Sequence, residues 1–304
     1  MNTHPLVSII TVNYNQVQHT CAFLESLRKI SYPNIEIIVV DNHSAENPES
    51  ILQTQYPEAK LILSKSNLGF AGGNNLGINM ATGKYLLFIN NDTEVDAGFL
   101  EPLVSLFESN PKAGIASPKI LYYNSDNIIQ YVGCNKINPY TGRNKRIGYK
   151  EKDLGQYDTL RETELAHGAA MMVPRHVVDE AGVMPELFFL YYEELDWCES
   201  IKNCGYSIYA VPASKVFHKE SMSVGKNSTL KTYYMTRNRL LFMRRNTKGL
   251  TKVSWILFFL IFSIPKNISK YILKREIDQL KAFWKGFVWN ITHLTNGEKI
   301  KLLA

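Results

Sequence analysis

An α/β fold with a parallel sheet is predicted by three features of the sequence. Between Leu6 and about Leu121, short apolar runs alternate with helical patterns, and strands separated by helices form parallel sheets with right-handed crossovers. Val, Ile and Leu fill these runs almost without interruption, as they do in strands covered on both faces. Several runs end in polar residues, and open α/β sheets bind ligands beyond the carboxyl ends of their strands.

The elements of this first half follow from the apolar periodicity. Helices are predicted over residues 17–30 and 97–110, and Pro111 ends the second helix. The predicted strands span residues 6–13, 35–41, 60–64 and 84–90.

The pattern changes after this point. Residues 122–165 are rich in Tyr, Asn, Gly and charge and alternate only weakly, which predicts a hairpin and a loop insertion. The elements predicted further along are a buried strand over 169–173, a helix over 194–204 with Gly205 as its C-cap, strands over 206–211 and 215–218, and mostly helix from Leu230 onward.

The net charge of +6 hides an asymmetry along the chain. Residues 231–304 contain 15 Lys and Arg against 3 Asp and Glu, a charge of +12, whereas residues 1–230 contain 19 against 25, a charge of −6. A basic tail on an acidic body predicts an anionic partner at the tail, namely a membrane surface, a pyrophosphate or nucleic acid. Because the sequence shows no nucleic-acid-binding motif, we expect no nucleic acid partner.

The strongest apolar run, Trp255–Ile264, lies in the basic tail. It is too short to span a bilayer, which needs about 20 apolar residues. Together with nearby basic and aromatic residues it predicts helices that lie in the membrane interface. The alternative is a core helix that packs on the rest of the protein. The nearby residues are Lys252, Lys266, Lys270, Lys274, Trp284 and Trp289.

Cysteine usage and the N-terminus indicate a cytoplasmic protein. The four cysteines form no CxxC pair, so we expect no zinc site. The N-terminus enters the first strand without an apolar h-region, so we expect no secretory signal. Reduced thiols in the cytosol are the simplest interpretation.

Polar side chains at the predicted strand ends identify a candidate ligand site. Three strand ends provide Asn13, Asp41 and Asp92, and we expect them to share one crevice at the edge of the sheet. Downstream, the acidic segment 193–196 and a lone His218 supply the residue types that general-base and metal chemistry need.

Six segments in a fixed order resemble the family 2 glycosyltransferases, specifically their rhamnosyltransferase-like branch. They cover roughly residues 6–245. Each is weak alone, whereas six in the family's order form a specific signal. The segments are Ser-Ile-Ile-Thr-Val-Asn-Tyr-Asn, Val-Val-Asp-Asn, Asn-Leu-Gly-Phe-Ala-Gly-Gly-Asn-Asn-Leu-Gly, Asn-Asn-Asp-Thr, Phe-Phe-Leu-Tyr-Tyr-Glu-Glu-Leu-Asp-Trp-Cys and Tyr-Tyr-Met-Thr-Arg-Asn.

The resemblance implies a GT-A fold, which is a Rossmann-like mixed α/β sheet flanked by helices, here with a helical C-terminal extension. Residues 1–228 would form the catalytic domain. Its nucleotide-binding half would span 1–121, and its acceptor half would span 122–228. Residues 229–304 would form a basic, apolar helical region at the membrane surface.

The resemblance also implies that the crevice binds a nucleotide-diphosphate sugar. Asp41 would accept the imide N–H of uracil or thymine, or a ribose hydroxyl; its alternative role is a helix N-cap near Ser44. Glycine-rich residues 69–77 precede a helical stretch whose amides could meet a phosphate, or they form a simple turn. Arg237 would hold a diphosphate, or form a surface salt bridge. The implied donor-binding residues are Thr11, Asn13, Asp41, Asn74, Asn91 and Arg237.

Asn90-Asn91-Asp92 occupies the position of the family's Asp-x-Asp metal motif. Asp92 would bind a divalent cation that bridges the donor phosphates, and hard oxygen ligands favour Mg²⁺ or Mn²⁺. Asn90 departs from the motif and brings no charge, so metal affinity would depend more on the donor phosphates. His218 would complete the metal shell. The alternatives are a turn at 90–92 and a structural histidine.

The segment Glu193-Glu194-Leu195-Asp196 matches a stretch that usually reads Glu-Asp-x-Asp, in which the second residue is the family's catalytic base. Glu194 is therefore the implied base, with Asp196 in reserve. Two residues apart on a helix, they cannot face the same way. The alternative is a charged helix start favoured by the helix dipole.

The implied function is an inverting glycosyltransferase of surface polysaccharide synthesis. It would move a sugar from a UDP- or dTDP-linked donor to a saccharide or lipid-linked acceptor, at the anionic inner face of the cell membrane. Two alternatives remain. One is a nucleotide-sugar-binding protein with little or no turnover, and the other is a membrane-surface scaffold.

Overall fold

A computed structural model of the protein describes residues 4–219 and 228–293. The last part of the predicted C-terminal region, residues 294–304, lies outside the described residues, as does the segment 220–227.

Strands and helices alternate through the first half, as predicted. These elements are β1 Val7–Asn13, α1 Val17–Leu27, β2 Ile35–Asp41, α2 Glu49–Gln55, β3 Ala59–Leu63, α3 Gly69–Met80, β4 Tyr85–Ile89, β5 Thr93–Val95 and α4 Leu100–Ser109.

The second half adds five strands and six helices to the described part of the chain. They are β6 Ala113–Tyr122, β7 Ile129–Tyr131, β8 Arg161–Thr163, β9 Ala170–Pro174, α5 Arg175–Ala181, α6 Glu193–Asn203, β10 Ser207–His218, α7 Thr229–Asn246, α8 Gly249–Phe258, α9 Ile264–Leu273 and α10 Ile277–Thr292.

The strands form one mixed sheet in the order β3-β2-β1-β4-β9-β6-β10-β5, with β7 beside β6 and β8 beside β10. The strands β3, β2, β1 and β4 are parallel, whereas β9 is antiparallel to both of its neighbours, β4 and β6. The parallel pairing predicted for the strands of the first half is therefore correct, and beyond β4 the sheet is mixed, since β6 and β10 pair parallel to each other. The mixed sheet implied by the family resemblance is confirmed.

Alternate residues of the central strands face two separate cores. Ile9 and Leu87 pack beneath α1 and α4 on one face, and Ile10 and Phe88 pack beneath α3, α5 and α6 on the other. Burial on both faces explains why these strands contain so few polar residues. The two strands predicted over 206–211 and 215–218 are one strand, β10, whose pairing is irregular between Val211 and Lys215.

The C-terminal helices form a third core against the part of the chain that contains the sheet. Helix α7 packs along α10, and Leu241 and Phe283 of these helices join a buried cluster with Phe188. Part of the C-terminal region therefore does pack as core helices.

The segment Gly249–Leu273 behaves differently. Helices α8 and α9 are continuous through a π-helical turn at Phe259–Ser263 and together form one helix of 25 residues. Its mean hydropathy is 1.5, and few of its residues are buried. The ten-residue run Trp255–Ile264 is too short to span a bilayer, but the helix that contains it is long and apolar enough by length and composition alone.

Candidate active site

Four polar side chains bond one another where β1, β2 and β4 end; we name Asn13, Thr20, Asp41 and Asn91 the strand-end cluster. Asn13 Nδ2 donates to Asp41 Oδ1 at 2.7 Å, and Thr20 Oγ1 donates to Asn13 Oδ1 at 2.9 Å. Asn91 Nδ2 donates to Thr20 Oγ1 at 2.9 Å. Asn13 and Asp41 lie side by side because they are paired in the register of the parallel β1–β2 ladder.

Asp41 also organises the turn that follows it. Its carboxylate accepts hydrogen bonds from the Ser44 amide at 3.0 Å and the Ser44 hydroxyl at 2.6 Å. The predicted N-cap role is wrong for a helix, since α2 begins only at Glu49. Thr11 is fully buried on β1, and its hydroxyl has no hydrogen-bond partner among the described residues.

The glycine-rich segment forms α3 itself and does not precede it. A Cβ at Gly73 would lie 2.9 Å from Val12, and one at Gly77 would lie 2.3 Å from Ile10, so these glycines let α3 pack closely on β1. Asn74 is buried in α3, and its Nδ2 donates to Phe70 O at 2.9 Å.

The amides at the start of α3 are already bonded to protein oxygens. Leu68 N donates to Asn42 Oδ1 at 2.9 Å, and Phe70 N donates to Phe189 O at 2.7 Å. The amides of Leu68 and Phe70 are therefore not free to meet a phosphate. These two bonds join the start of α3 to the end of β2 and to the loop before α6.

Asp92 and His218 meet at the predicted metal position. Asp92 Oδ1 lies 3.1 Å from His218 Nε2, because β5 and β10 pair antiparallel and set His218 opposite Thr93. Burial alone would raise the pKa of Asp92, but hydrogen bonding and charge from His218 lower it below its ordinary value. Asn90 Nδ2 lies 3.5 Å from the same histidine nitrogen.

The donor set at this position suits a divalent cation. His218 Nδ1 lies 2.8 Å from Gln130 Oε1 and can donate a proton there, and a neutral ring in that tautomer would present its Nε2 lone pair to a cation beside Asp92. Two acceptors at this separation need a proton or a cation between them. Within residues 4–219 and 228–293, no group of three or more His, Cys, Asp or Glu converges, so donor phosphates would have to supply the remaining ligands.

Glu194 reaches the same region from the start of α6. A Cβ at Gly168 would lie 3.6 Å from the Glu194 carboxyl carbon. The adjacent His167 ring lies 6.2 Å from the His218 ring, centroid to centroid. The segment 167–168 therefore lies beside both the implied base and the implied metal ligand.

Burial raises the pKa of Glu194 above its ordinary value of 4.5. It raises the pKa of the neighbouring Glu193 well above that value, and the charge of Glu194 adds to the rise. Glu194 is half-buried, whereas Glu193 is 3% exposed. One oxygen of the Glu194 carboxylate, Oε2, is buried without a hydrogen-bond partner among the described residues, and the raised pKa gives this carboxylate the increased basicity that a general base requires.

Asp196 points elsewhere, as the helical spacing predicts. It is 2% exposed and accepts hydrogen bonds from Arg245 Nη2 at 3.0 Å and Asn246 Nδ2 at 2.8 Å. These contacts tie α6 to α7 and leave Glu194 as the acidic residue that faces the site.

The base loop, residues 186–194, is backbone-strained. Phe189, Tyr191 and Tyr192 have φ of 63°, 69° and 76°, a region that bulky residues rarely adopt. Asn238 of α7 holds the loop: its Nδ2 lies 2.8 Å from the carbonyl oxygens of Phe188, Leu190 and Tyr191. The strained backbone therefore ends at Tyr192, immediately before Glu193 and Glu194.

Arg237, the neighbour of Asn238, supports the same loop. Its Nη2 donates to Leu187 O at 2.6 Å, and its guanidinium lies 4.1 Å from the Trp289 ring centroid. It is 6% exposed, so the surface salt bridge considered for it is wrong. The structure brings Asn13, Asp41, Asn91, Asp92 and His218 to one edge, and it places Arg237 and Asn74 in buried packing instead.

Three residues of the site gave no signal in the sequence, because each acts through a hydrogen bond or a ring contact that local periodicity does not mark. They are Thr20, Gln130 and His167. Asn42 and Asn238 lie in segments that resemble the family, but the sequence assigned neither of them a role.

Comparisons with known proteins identify the family of the chain. The sequence profile described as Glycosyl transferase family 2 matches residues 8–172. The chain is similar to the dTDP-rhamnosyl transferase RfbF of Shigella flexneri, with 26% identity over 311 aligned positions that cover 95% of this chain and 100% of the relative. It is also similar to the N-acetylglucosaminyl-diphospho-decaprenol L-rhamnosyltransferase of Mycobacterium tuberculosis, at 22% identity over 73% of this chain and 78% of that protein.

The fold is shared with a solved glycosyltransferase structure. GalNAc-T7, crystallised with UDP, GalNAc and Mn²⁺, superposes with a TM-score of 0.62 at 15% identity. The match covers 87% of this chain, which spans 57% of that longer one.

Proposed function

This chain belongs to glycosyl transferase family 2 and has the GT-A fold, and on that premise we propose that it is an inverting glycosyltransferase. Its donor would be a UDP- or dTDP-linked sugar and its acceptor a lipid-linked saccharide of surface polysaccharide synthesis. The supporting observation is the segment 167–168, which lies beside Glu194 on one side and the His218–Asp92 pair on the other.

The reaction follows from that arrangement. The acceptor hydroxyl oxygen attacks the anomeric carbon of the donor as the bond from that carbon to the phosphate oxygen breaks. The Glu194 carboxylate takes the hydroxyl proton. The electron pair leaves with the nucleoside diphosphate, and the new bond forms on the opposite face of the sugar. Holding donor and acceptor in line supplies much of the rate.

A divalent cation would be held by Asp92 and His218. When bound, Mg²⁺ or Mn²⁺ would neutralise the charge that develops on the leaving phosphate. The strand-end cluster would hold the nucleotide, with Asp41 and Asn13 nearest its base or ribose. Thr11, Asn74, Asn91 and Arg237 stay predictions as donor-binding residues, and Asp196 stays a prediction as the reserve base.

The decisive experiment offers the purified full chain a panel of UDP- and dTDP-sugars with saccharide and lipid-linked acceptors. Product release and anomeric configuration are followed by NMR. We expect nucleoside diphosphate release that depends on both acceptor and metal, with inverted configuration. Donor binding without release would favour the nucleotide-sugar-binding alternative. Binding of no donor at all would favour the scaffold.

We further propose that the helix Gly249–Leu273 lies on the cytoplasmic face of the cell membrane. Leu257, Ile261 and Phe262 are 51%, 59% and 61% exposed, and burying the exposed part of each in lipid would stabilise attachment by about 1 kcal/mol. Basic residues near an anionic surface add about 1 kcal/mol each. Removing 250–304 would also remove α10, which packs on α7, so point variants are the cleaner test.

Liposome flotation with anionic vesicles tests this attachment. We expect the double variant Ile261→Ser/Phe262→Ser to lose most of its flotation. The matched control Leu154→Ser changes an apolar side chain that is 78% exposed on the catalytic part, and it should float normally. Equal flotation of the double variant and the unaltered protein would contradict the proposal.

A further inference from the structure

A cavity lies between the C-terminal helices and the loop 138–146. Its volume is about 540 Å³. It is lined by residues of α7, α9 and α10 together with Gly142, Arg143 and Asn144 of the loop. No member of the strand-end cluster lines it, so it is separate from the crevice proposed for the donor nucleotide.

The cavity has a strong excess of positive charge. Glu276 is the one carboxylate among its lining residues. Within the described parts of the chain, none of its four basic residues forms an ion pair. Uncompensated cations in a concave site attract anions. The four are Arg143, Lys231, Arg239 and Lys270.

Arg239 is the most enclosed of these cations. Its Nη2 donates to Thr141 O at 2.6 Å, but its Nε is buried without a hydrogen-bond partner in the described residues. Burial lowers the pKa of Arg239 below its ordinary value; Tyr192 partly offsets this, and the positive charge of Arg143 adds to the lowering. Keeping an arginine in such a place is unfavourable unless an anion compensates it.

The position of the cavity relates it to both the base loop and the membrane-facing helix. Tyr192, which directly precedes Glu193, lines one side. Phe259 and Lys270 of the Gly249–Leu273 helix line the other. Lys231 Nζ lies 5.8 Å from the ring centroid of Tyr191 in the base loop. An anion held here would lie between the proposed base and the exposed apolar surface.

We propose that this cavity binds the diphosphate group of the lipid-linked acceptor. The proposal rests on the proposed function and adds to it the place where the acceptor is held. Arg and Lys side chains suit the charged oxygens of a diphosphate. From this point the saccharide extends past Tyr192 toward Glu194, and the lipid leaves along the exposed residues of the Gly249–Leu273 helix.

Calorimetric titration of the full chain in detergent, at fixed ionic strength, tests the site with farnesyl diphosphate as the probe. We expect saturable binding that persists in saturating UDP or dTDP. Lys270→Gln and Arg239→Gln should each weaken it by about tenfold or more, since a hydrogen bond to a charged group is worth about 1.5–3 kcal/mol. Lys266→Gln removes the same charge from the same helix but does not line the cavity, so it should bind normally.

Additional titrations distinguish binding of the diphosphate group from binding of the lipid chain. Inorganic pyrophosphate should bind more weakly yet show the same dependence on Lys270, whereas farnesol should show none. Loss of farnesyl diphosphate binding in UDP would overturn the proposal, because the probe would then occupy the donor site. Equal loss in Lys266→Gln and Lys270→Gln would also overturn it, because surface charge alone would explain binding.

Failure of this site and failure of the proposed function give different results. If the protein releases nucleoside diphosphate from a donor but binds farnesyl diphosphate independently of Lys270 and Arg239, the inference alone is wrong. If farnesyl diphosphate binds as expected but no donor is bound or consumed, the proposed function is wrong while the anion site stands. Lys270 is exposed, so its replacement leaves the fold intact even if Arg239→Gln does not.

Discussion

The strand-end cluster and the base loop lie at one edge of the sheet but are held in opposite ways. The cluster consists of side chains at strand and helix ends that satisfy one another, such as Asn13 with Asp41. The base loop contains three non-glycine residues at positive φ and depends on Asn238, about 50 residues further along the chain. Donor binding should therefore tolerate changes in the C-terminal helices, whereas the chemical step should not.

The largest expected effect is on the chemical step alone. Glu194→Gln keeps the shape and the hydrogen bonding of the side chain but cannot accept a proton. We expect kcat to fall by about 10²–10⁴-fold, with donor affinity by calorimetry unchanged within a few-fold. Stopped assays of nucleoside diphosphate release measure the loss.

Asp196→Asn is the matched control, since it removes a carboxylate two residues away that bonds Arg245 and Asn246. It should cost stability more than turnover. If Asp196→Asn is the inactive variant and Glu194→Gln still turns over, the assignment within this acidic segment is wrong by two residues.

The second expected effect is on the donor side. Asp92→Ala removes the carboxylate that faces His218 at 3.1 Å. Loss of one preorganised electrostatic contact costs about 10²–10³ in rate, and metal-dependent donor binding should disappear with it. Circular dichroism should show an intact fold. Near-normal turnover by the purified variant, with and without a chelator, would contradict the metal assignment.

The positions of Asn13 and Asp41 were predictable from the sequence, because strand ends follow from local apolar periodicity. Asn13 and Asp41 stand at the ends of runs of Val and Ile, and parallel strands end at one edge. The α/β class and the helical C-terminal region followed in the same way. The antiparallel β9 did not, because its sequence is as apolar as that of a parallel strand.

The residues that support the base loop and His218 were not predictable, because their contacts are distant in the chain. Gln130 and His218 are separated by 88 residues, and Asn238 lies 47–50 residues from the carbonyl groups that it contacts. Positive φ at Tyr191 and Tyr192 also contradicts what local propensity favours for aromatic residues. The sequence could name Glu194 through the family resemblance but not what positions it.

The third expected effect separates the two regions most directly. Asn238→Ala removes the donor that holds three loop carbonyls. We expect kcat to fall about tenfold, because hydrogen bonds of this kind are worth about 1–3 kcal/mol when the buried partners are left unpaired. Donor affinity should stay unchanged, because the strand-end cluster does not touch α7. Steady-state kinetics and donor calorimetry measure the two quantities.

Asn290→Ala is the control for stability in the same helix pair. Asn290 Nδ2 donates to Arg237 O at 2.9 Å and to Gly286 O at 3.1 Å, away from the loop. It should lower the melting temperature by a similar amount yet leave kcat unchanged. Equal losses of kcat in both variants would mean that Asn238 acts only through general stability.

The smallest expected effect is on the pH dependence of the base loop. A general base works only when ionised, and burial raises the pKa of Glu194 above 4.5. The acid limb of kcat/KM should therefore lie above pH 4.5, with activity rising as pH rises through the pKa of Glu194. Glu193→Gln should leave this limb nearly unchanged, because burial keeps Glu193 protonated over that range. A limb that moves with Glu193→Gln would identify Glu193 as the titrating base.

Stability should change in the opposite direction with pH. Both carboxyl groups have a pKa that is higher in the folded chain than in the unfolded chain. Their contribution to folding is therefore complete below about pH 4.5 and is lost as pH rises through the folded values. The Gln side chain of the Glu193→Gln variant cannot ionise. The melting temperature of this variant should therefore increase relative to that of the unaltered protein as pH rises. The strand-end cluster offers the contrast, since Asn13→Ala should give a difference in melting temperature that stays constant over the same range. If the difference in melting temperature between Glu193→Gln and the unaltered protein does not change with pH, ionisation of the base loop does not lower the stability of the fold.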